Sequence, residues 1–236
     1  MKKYIPGETK EQRKARKNLA KAKKQQTTAT TTLPVITESP TSNKIAFVIG
    51  NGTSRNPIAL PSLRPFGKIY GCNALYRDFI PDYLVAVDTK MVLELNKAGV
   101  QHQVETWTNP NRAYSEMHGF NFFQPSKGWS SGPTALWLAS QHGPKQIFIL
   151  GFDYTGKDGG NHFNNIYADS DNYKKTIDGA TYHGNWLKQT ATTIKEHPRI
   201  NYTRVIAKDN YCPEELNILS NYSTMDIEHF LKIFSI

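Results

Sequence analysis

The chain has 236 residues, is 38% hydrophobic and carries a net charge of +9, of which +8 lies in residues 1–24, where ten Lys and Arg stand against two Glu. This apolar content suffices for a globular core. The sequence has no long apolar run and no apolar leader, so we expect no membrane span and no secretory signal. Cys72 and Cys212 lie far apart, without a C-x-x-C pair, which argues against a zinc site or a disulfide scaffold and favours the reducing cytoplasm.

Residues 1–26 form a basic arm, rich in helix-forming residues but without an apolar stripe that could pack on a core. Two interpretations of this arm stay open. It is a solvated tail, or it folds on an anionic partner, either nucleic acid or an acidic protein surface, through residues 2–24. Residues 27–43 are rich in Thr and contain two prolines, which predicts an extended linker before a single globular domain at 44–236.

The first half of the domain has strand-like and helix-like segments in alternation. We predict strands and helices from the spacing of apolar residues. The strands are expected at 45–49, 68–71, 83–87 and 103–107, and the helices at 74–79 and 89–98. Residues 108–129 show no clean period and are expected to form a loop-rich segment over the functional site.

The second half continues this alternation. A helix is predicted from Ser131 to about residue 142, with Ser131 or Gly132 as its N-cap. A last helix at 226–234 is predicted to open with a capping box formed by Ser223 and Asp226. The other elements are a strand at 146–150, an irregular segment at 151–180, a helix at 186–197 and a strand at 203–206. Strands alternating with helices predict an α/β domain with a doubly wound, mostly parallel sheet of Rossmann-like type.

A glycine-rich turn follows the first strand, at the edge where an open parallel sheet binds its ligands. Its residues are Gly50, Asn51, Gly52, Thr53, Ser54 and Arg55. Such a turn offers backbone N–H groups and short polar side chains to a nucleotide phosphate or ribose. It lacks both the G-K-[ST] of a P-loop and the third glycine of the dinucleotide fingerprint. A tight turn would need the same glycines for structural reasons alone, so both interpretations stay open.

Further polar residues follow other strands. Asn73 could reach the same ligand or cap a helix. Asp88 and Asp153 suit a ribose hydroxyl, a metal ion or a leaving-group proton, and each could instead cap the helix that follows. His162 and His183 lie in the glycine-rich segment after Asp153, where a histidine could act as a general base or be an ordinary surface residue.

Five motifs occur in a familiar order: G-N-G-T-S, C-N-A-L-Y, P-D-Y-L-V-A-V-D, S-S-G-P-T-A-L-W-L-A and K-Q-I-F-I-L-G-F-D-Y. From residue 45 to 205 the chain resembles a Rossmann-like group that contains the CMP-sialic-acid-dependent bacterial sialyltransferases and the 6-hydroxymethylpterin diphosphokinases. The resemblance to the sialyltransferases implies a site for a cytidine nucleotide. The implied nucleotide residues are Gly50, Asn51, Gly52, Ser54 and Asn73, with Ser131 and Gly132 beside them and His183 as catalytic base.

The chain departs from the sialyltransferase pattern at one point, and the resemblance also allows a second interpretation, that of a diphosphokinase. Sialyltransferases of this type stabilise the departing phosphate with two tyrosines, and the corresponding residues here are Thr155 and Asn161, with Tyr154 and Tyr167 displaced. The resemblance to the diphosphokinases implies instead that acids such as Asp88 and Asp153 hold Mg²⁺ on nucleotide phosphates. The basic residues available to those phosphates are Arg55, Arg112 and Lys157.

We therefore expect a nucleotide- or nucleotide-sugar-dependent transferase of glycosyltransferase type. The nucleotide would lie over residues 50–54 and Asn73, and Asp153 and His183 would bracket the transferred group. The alternatives are a Mg²⁺-dependent diphosphokinase-like enzyme and a non-catalytic structural or nucleic-acid-associated protein docked through the basic arm. Small proteins of this type resemble those of viral genomes, which would place the chain in the host cytoplasm or in a virion.

Overall fold

Apolar runs rich in Ile, Val and Phe form the central strands, as the β-propensity of these residues favours. The computed structural model describes residues 44–207 and 211–236, and the strands within them form one eight-stranded parallel sheet. They are β1 Ile45–Ile49, β2 Lys68–Cys72, β3 Tyr83–Val85, β4 Glu105–Thr108, β5 Phe120–Phe122, β6 Gln146–Leu150, β7 Asn201–Ile206 and β8 Tyr222–Asp226. The predicted α/β class with a parallel sheet is confirmed. The predicted arm and linker at 1–43 lie outside the described residues.

Helices cover both faces of the sheet. They are α1 Thr89–Ala98, α2 Ser131–Gln141, α3 Gly184–Glu196, α4 Glu214–Asn217 and α5 Ile227–Phe234. Alternate residues of β1 point to opposite faces: Phe47 packs with α1 and α5, whereas Val48 packs with α2 and α3. The sheet is therefore doubly wound, as predicted. No helix in the described part of the chain combines the length and the apolar character that crossing a membrane requires.

The strand order places a crevice beside β1. The sheet runs β5-β4-β3-β2-β1-β6-β7-β8, so the chain builds outward from β1 to β5 and then returns to place β6 on the other side of β1. The connections that leave β1 and β6 diverge at this point. Ligands of open α/β sheets bind in such a crevice, beyond the carboxyl ends of the strands.

Two predicted helix caps are wrong, and the helix predicted at 74–79 is a 3₁₀-helix at Asn73–Arg77. The N-cap of α2 is Ser130, whose backbone is extended. The hydroxyl of Ser131 instead accepts a hydrogen bond from the Val87 N–H (3.0 Å), which connects the helix to the segment after β3. The predicted capping box before α5 does not form, since Ser223 belongs to β8. Asp226 is itself the N-cap and accepts from the Glu228 N–H (2.8 Å).

Candidate functional site

A cavity of about 480 Å³ lies at the carboxyl ends of β1 and β6, within the size range of small-molecule sites. Its walls are the turns that follow β1, β2, β3 and β6 and the first residues of α2 and α3. The structure thus brings together most residues that the sequence singled out. Those that line the cavity are Gly50, Asn51, Gly52, Asn73, Asp88, Ser131, Gly132, Asp153 and His183.

The glycines of the first turn are required by the close approach of the turn after β6. A Cβ atom on Gly50 would lie 2.5 Å from the carbonyl oxygen of Gly151, and one on Gly52 would lie 2.5 Å from Asp153 Oδ2. Gly151 has a φ of +68°, a conformation that glycine adopts without strain. The structural explanation for the glycines, which the sequence left open, therefore holds.

Four backbone N–H groups of this turn, those of Gly50, Gly52, Thr53 and Ser54, are already used within the protein. Gly50 N–H donates to the Leu150 carbonyl (2.7 Å), and Gly52 N–H donates to the Gly151 carbonyl (2.9 Å). The next two N–H groups donate to side chains, that of Thr53 to Asn164 and that of Ser54 to Asp153. These four N–H groups are therefore not free to cradle a phosphate in this arrangement.

Thr53 and Ser54 lie outside the cavity lining and form hydrogen bonds with two residues that line it, Asn164 and Asp153. The Thr53 hydroxyl donates to Asn164 Oδ1 (2.7 Å), and the Ser54 hydroxyl donates to Asp153 Oδ1. Asn164 in turn donates from Nδ2 to Asp153 Oδ2 (2.9 Å). The Asp153 carboxylate, only 7% exposed, thus accepts hydrogen bonds from two side chains and one backbone N–H, which fix its orientation at the cavity wall.

The basic residues proposed for phosphate binding lie elsewhere. Arg55 is buried beneath the turn, where its Nε donates to the Gly50 carbonyl (2.8 Å) and its Nη2 donates to the Tyr167 hydroxyl (3.1 Å). Arg112 and Lys157 lie outside the lining of the cavity. Arg55 therefore supports the turn, and these three cations do not reach a ligand in the cavity.

Two asparagines present unused hydrogen-bond acceptors. Asn51 Oδ1 and Asn73 Oδ1 are both buried without a partner among the described residues, although buried polar atoms are nearly always paired. Asn73 has a φ of +52° and is the first residue of a 3₁₀-helix whose N-cap is Cys72, so it does not serve as the cap. Both oxygens belong to residues of the cavity wall and are suited to ligand groups that donate hydrogen bonds.

Asp88 occupies the N-cap position of α1, but its side chain makes no capping hydrogen bond. It is exposed and lines the cavity. The capping role that the sequence allowed for its carboxylate is therefore not observed. This leaves Asp88 available to a ligand at the end of β3.

His183 is the residue before α3, and its ring lies 5.1 Å from the ring of Trp186, edge to face. Burial lowers the pKa of His183, and the Asp153 carboxylate partly opposes this effect. The imidazole is therefore neutral near pH 7, the form that a general base requires. His162 lies outside the cavity lining, with its Nδ1 3.0 Å from Asp158 Oδ2.

The tyrosines that follow β6 do not offer their hydroxyls to the cavity. Tyr154 lines the cavity, but its hydroxyl donates to Thr190 Oγ1 (2.7 Å) in the core. The hydroxyl of Tyr167 is held by Arg55. Thr155 lines the cavity, whereas Asn161 is exposed and donates to the Asp158 carbonyl (3.0 Å). The hydroxyls of Tyr154 and Tyr167 are therefore engaged by the protein itself.

Several residues of the site escaped the sequence analysis. Trp129 and Trp186 supply aromatic walls, and Gln189 Oε1 accepts from the Ser130 N–H (3.1 Å), which fastens the start of α2 to α3. Asn164 orients Asp153. These residues lie in loops or at helix starts without a motif, and only the tertiary structure brings them together.

The acids do not fit the Mg²⁺ site that the resemblance to diphosphokinases implies. Within residues 44–207 and 211–236, no three His, Cys, Asp or Glu side chains cluster as metal ligands. Mg²⁺ prefers a near-octahedral set of oxygens. Here Asp153 is occupied by protein donors, and Asp88 stands alone at the end of β3.

Comparison of the chain with protein-family models, with curated proteins and with solved structures finds no match. The functional argument therefore depends on the geometry of the cavity. Its distinctive features are the two unpartnered asparagine oxygens, the start of α2, and the pair formed by Asp153 and His183.

Proposed function

We propose that the cavity binds a nucleotide or nucleotide-sugar and that the protein transfers the sugar to an acceptor hydroxyl. The observation that carries this proposal is the pair of unpartnered oxygens, Asn51 Oδ1 and Asn73 Oδ1, at the switch point of the sheet. Ribose hydroxyls and base amino groups are donors that would satisfy these oxygens. A buried acceptor without a partner costs about 1–3 kcal/mol, which a bound nucleoside would recover.

The phosphate is assigned to the start of α2. The first N–H groups of a helix lack carbonyl partners and carry partial positive charge, which favours an anion. Ser131 and Gly132 lie in this first turn and line the cavity, whereas the N–H groups of both glycines in the turn after β1 are already bonded.

The sugar then lies between α2 and the pair Asp153 and His183. In the transfer step, the acceptor oxygen forms a bond to the anomeric carbon, and the bond from that carbon to the phosphate oxygen breaks. The acceptor proton passes to a ring nitrogen of His183, and the nucleotide leaves as the phosphate anion beside the start of α2. Asp153 is held rigidly and stabilises the imidazolium that forms.

Binding is tested by isothermal titration of the full chain with CMP, UMP, AMP and GMP. We expect saturable binding of at least one nucleotide and about tenfold weaker binding by Asn51→Ala, since one hydrogen bond to a ligand is lost. The matched control is Asn217→Ala, in α4 and outside the cavity lining. Absence of saturable binding for all four nucleotides and for UDP-glucose and CMP-sialic acid would contradict the proposal.

Catalysis is tested by the release of free nucleotide from UDP-glucose or CMP-sialic acid. His183→Ala is expected to lower the turnover by about 10²-fold or more, with an unchanged Kd for the nucleotide, because general bases contribute about 10²- to 10⁴-fold. His162→Ala is the control, since His162 lies outside the cavity lining. Equal turnover in both variants would exclude His183 as the base.

A further inference from the structure

Residues 164–178 form a strap that crosses the carboxyl ends of β1 and β2. One end is bonded at the cavity, where Ile166 N–H donates to the Asn51 carbonyl (2.8 Å). The middle is bonded by the guanidinium of Arg77, which donates to Ser170 Oγ (2.7 Å) and to the Asp171 carbonyl (3.0 Å). Arg77 lies outside the lining of the main cavity.

Glu94 of α1 connects Arg77 to the strap. Its Oε1 accepts from Arg77 Nη2 (2.6 Å) and from the Tyr76 hydroxyl (2.5 Å), and its Oε2 accepts from Asn172 Nδ2 (2.6 Å). Burial raises the pKa of Glu94, but the hydrogen bonds from Tyr76, Arg77 and Asn172 outweigh burial and lower it. The carboxylate is therefore ionised, and its hydrogen bonds are charge-assisted.

Tyr173, the next residue of the strap, connects these contacts to Asn51 and to the turn that carries Asn73. Its hydroxyl accepts from Asn51 Nδ2 and from the Ala74 N–H, each at 3.4 Å. Asn51 Nδ2 donates to this hydroxyl and also to the Cys72 carbonyl (3.5 Å), so Oδ1 is the atom of the amide left without a partner among the described residues. The bond to Ala74 likewise restrains the turn that carries Asn73. A guanidinium carbon of Arg77 lies 5.8 Å from the Tyr173 ring centre, so the anchor also contacts the ring.

We propose that Arg77 and Glu94 are positioning residues for the nucleotide site, acting through Tyr173 on Asn51 and on the turn at Asn73. The identity of the ligand rests on the proposed function, but the positioning does not. A binding group that is held in its bound orientation loses less conformational entropy on association. Arg77 and Glu94, which lie outside the cavity lining, therefore raise affinity through the strap without touching the ligand themselves.

The test compares Tyr173→Phe with wild type in the full chain. Removal of the hydroxyl is expected to shift the side-chain amide NMR signals of Asn51 and Asn73. It is also expected to weaken nucleotide binding about fivefold in the titrations with CMP, UMP, AMP and GMP, the effect of one neutral hydrogen bond. Tyr202→Phe is the matched control. Tyr202 lies near the start of β7, outside the cavity lining, and its hydroxyl forms a hydrogen bond with Ser140 Oγ (2.8 Å).

Glu94→Gln tests the anchor in the same assays. The amide signals of Asn51 and Asn73 should move in the same direction as in Tyr173→Phe, and Glu94→Asp should restore part of the wild-type positions because it keeps the charge. Unchanged signals in Tyr173→Phe, or equal shifts in Tyr202→Phe, would overturn the inference. If the wild type binds none of the four nucleotides and neither UDP-glucose nor CMP-sialic acid, the proposed function fails, and the NMR comparison still decides the positioning.

Discussion

The two sides of the cavity differ in how much of their polar chemistry the protein itself uses. On the side of β6, Asp153 is buried and accepts three hydrogen bonds from protein groups. On the side of β2 and β3, Asn73 Oδ1 has no partner among the described residues, and the exposed carboxylate of Asp88 does not cap α1. Both sides consist of Gly, Asn and Asp at strand ends. Protein groups already bond the acceptors on the β6 side, whereas Asn73 Oδ1 and the Asp88 carboxylate on the other side are not used in this way.

The largest effect expected on the β6 side comes from Gly52→Ala. The new Cβ would lie 2.5 Å from Asp153 Oδ2 and 2.7 Å from the Gly151 carbonyl oxygen, so the two turns must separate. Overpacking of this kind costs about 3 kcal/mol of unfolding free energy, measured in urea. Gly179→Ala is the control, since a Cβ there meets no atom within 4 Å. Equal losses in both variants would contradict the steric explanation.

Asp153→Asn and Asp88→Asn compare the two sides with the same chemical change. We expect Asp153→Asn to lower the unfolding free energy by about 2 kcal/mol, because an amide group cannot accept all the hydrogen bonds that the carboxylate accepts. Asp88→Asn should change it by less than about 0.5 kcal/mol, the usual range for an exposed site. The contrast between the two sides fails if Asp88→Asn proves the more destabilising in urea unfolding.

Asn73→Gly separates binding from stability on the β2 side. Glycine suits the φ of +52° at this position, and the lost side chain leaves no protein partner behind, so stability should change by no more than about 0.5 kcal/mol. Nucleotide affinity should fall about tenfold in the titration. Ser235→Gly, at a φ of +54° after α5, is the control that should leave affinity unchanged. Unchanged affinity in Asn73→Gly would remove this side from the binding site.

The sequence predicted the central sheet better than its edges. β1, β6 and α1 begin and end where they were expected, because buried apolar runs and a helix closed by Gly99 leave clear patterns. β5 has only three residues, and β8 is a partly exposed edge strand, so neither shows an apolar run, and both were missed. The cavity lies at the strand ends that the sequence singled out.

The roles within the site were harder to predict. Thr53, Ser54 and Arg55 follow the glycine turn directly, yet they form a 3₁₀-helix that turns them away from the cavity. Sequence adjacency therefore suggested ligand contacts where the structure has supporting ones. Conversely, Asn164 and Trp129 reach the site from distant loops, and no local pattern distinguishes them from other loop residues.

The smallest effect expected is the pH dependence that His183 contributes. In the unfolded chain its pKa is about 6.5, and burial lowers it in the folded protein, so the unfolded chain binds the proton more strongly. This contribution to stability is complete above about pH 6.5 and is lost as the pH falls through the lower folded pKa. The ring is only partly buried, so we expect this contribution to be small. Urea unfolding from pH 5 to 7.5 should show a shallower slope for His183→Gln than for wild type, and His142, whose pKa burial also lowers, is common to both chains. Identical slopes would mean that the imidazole is not desolvated at the cavity wall, which would weaken its assignment as the base.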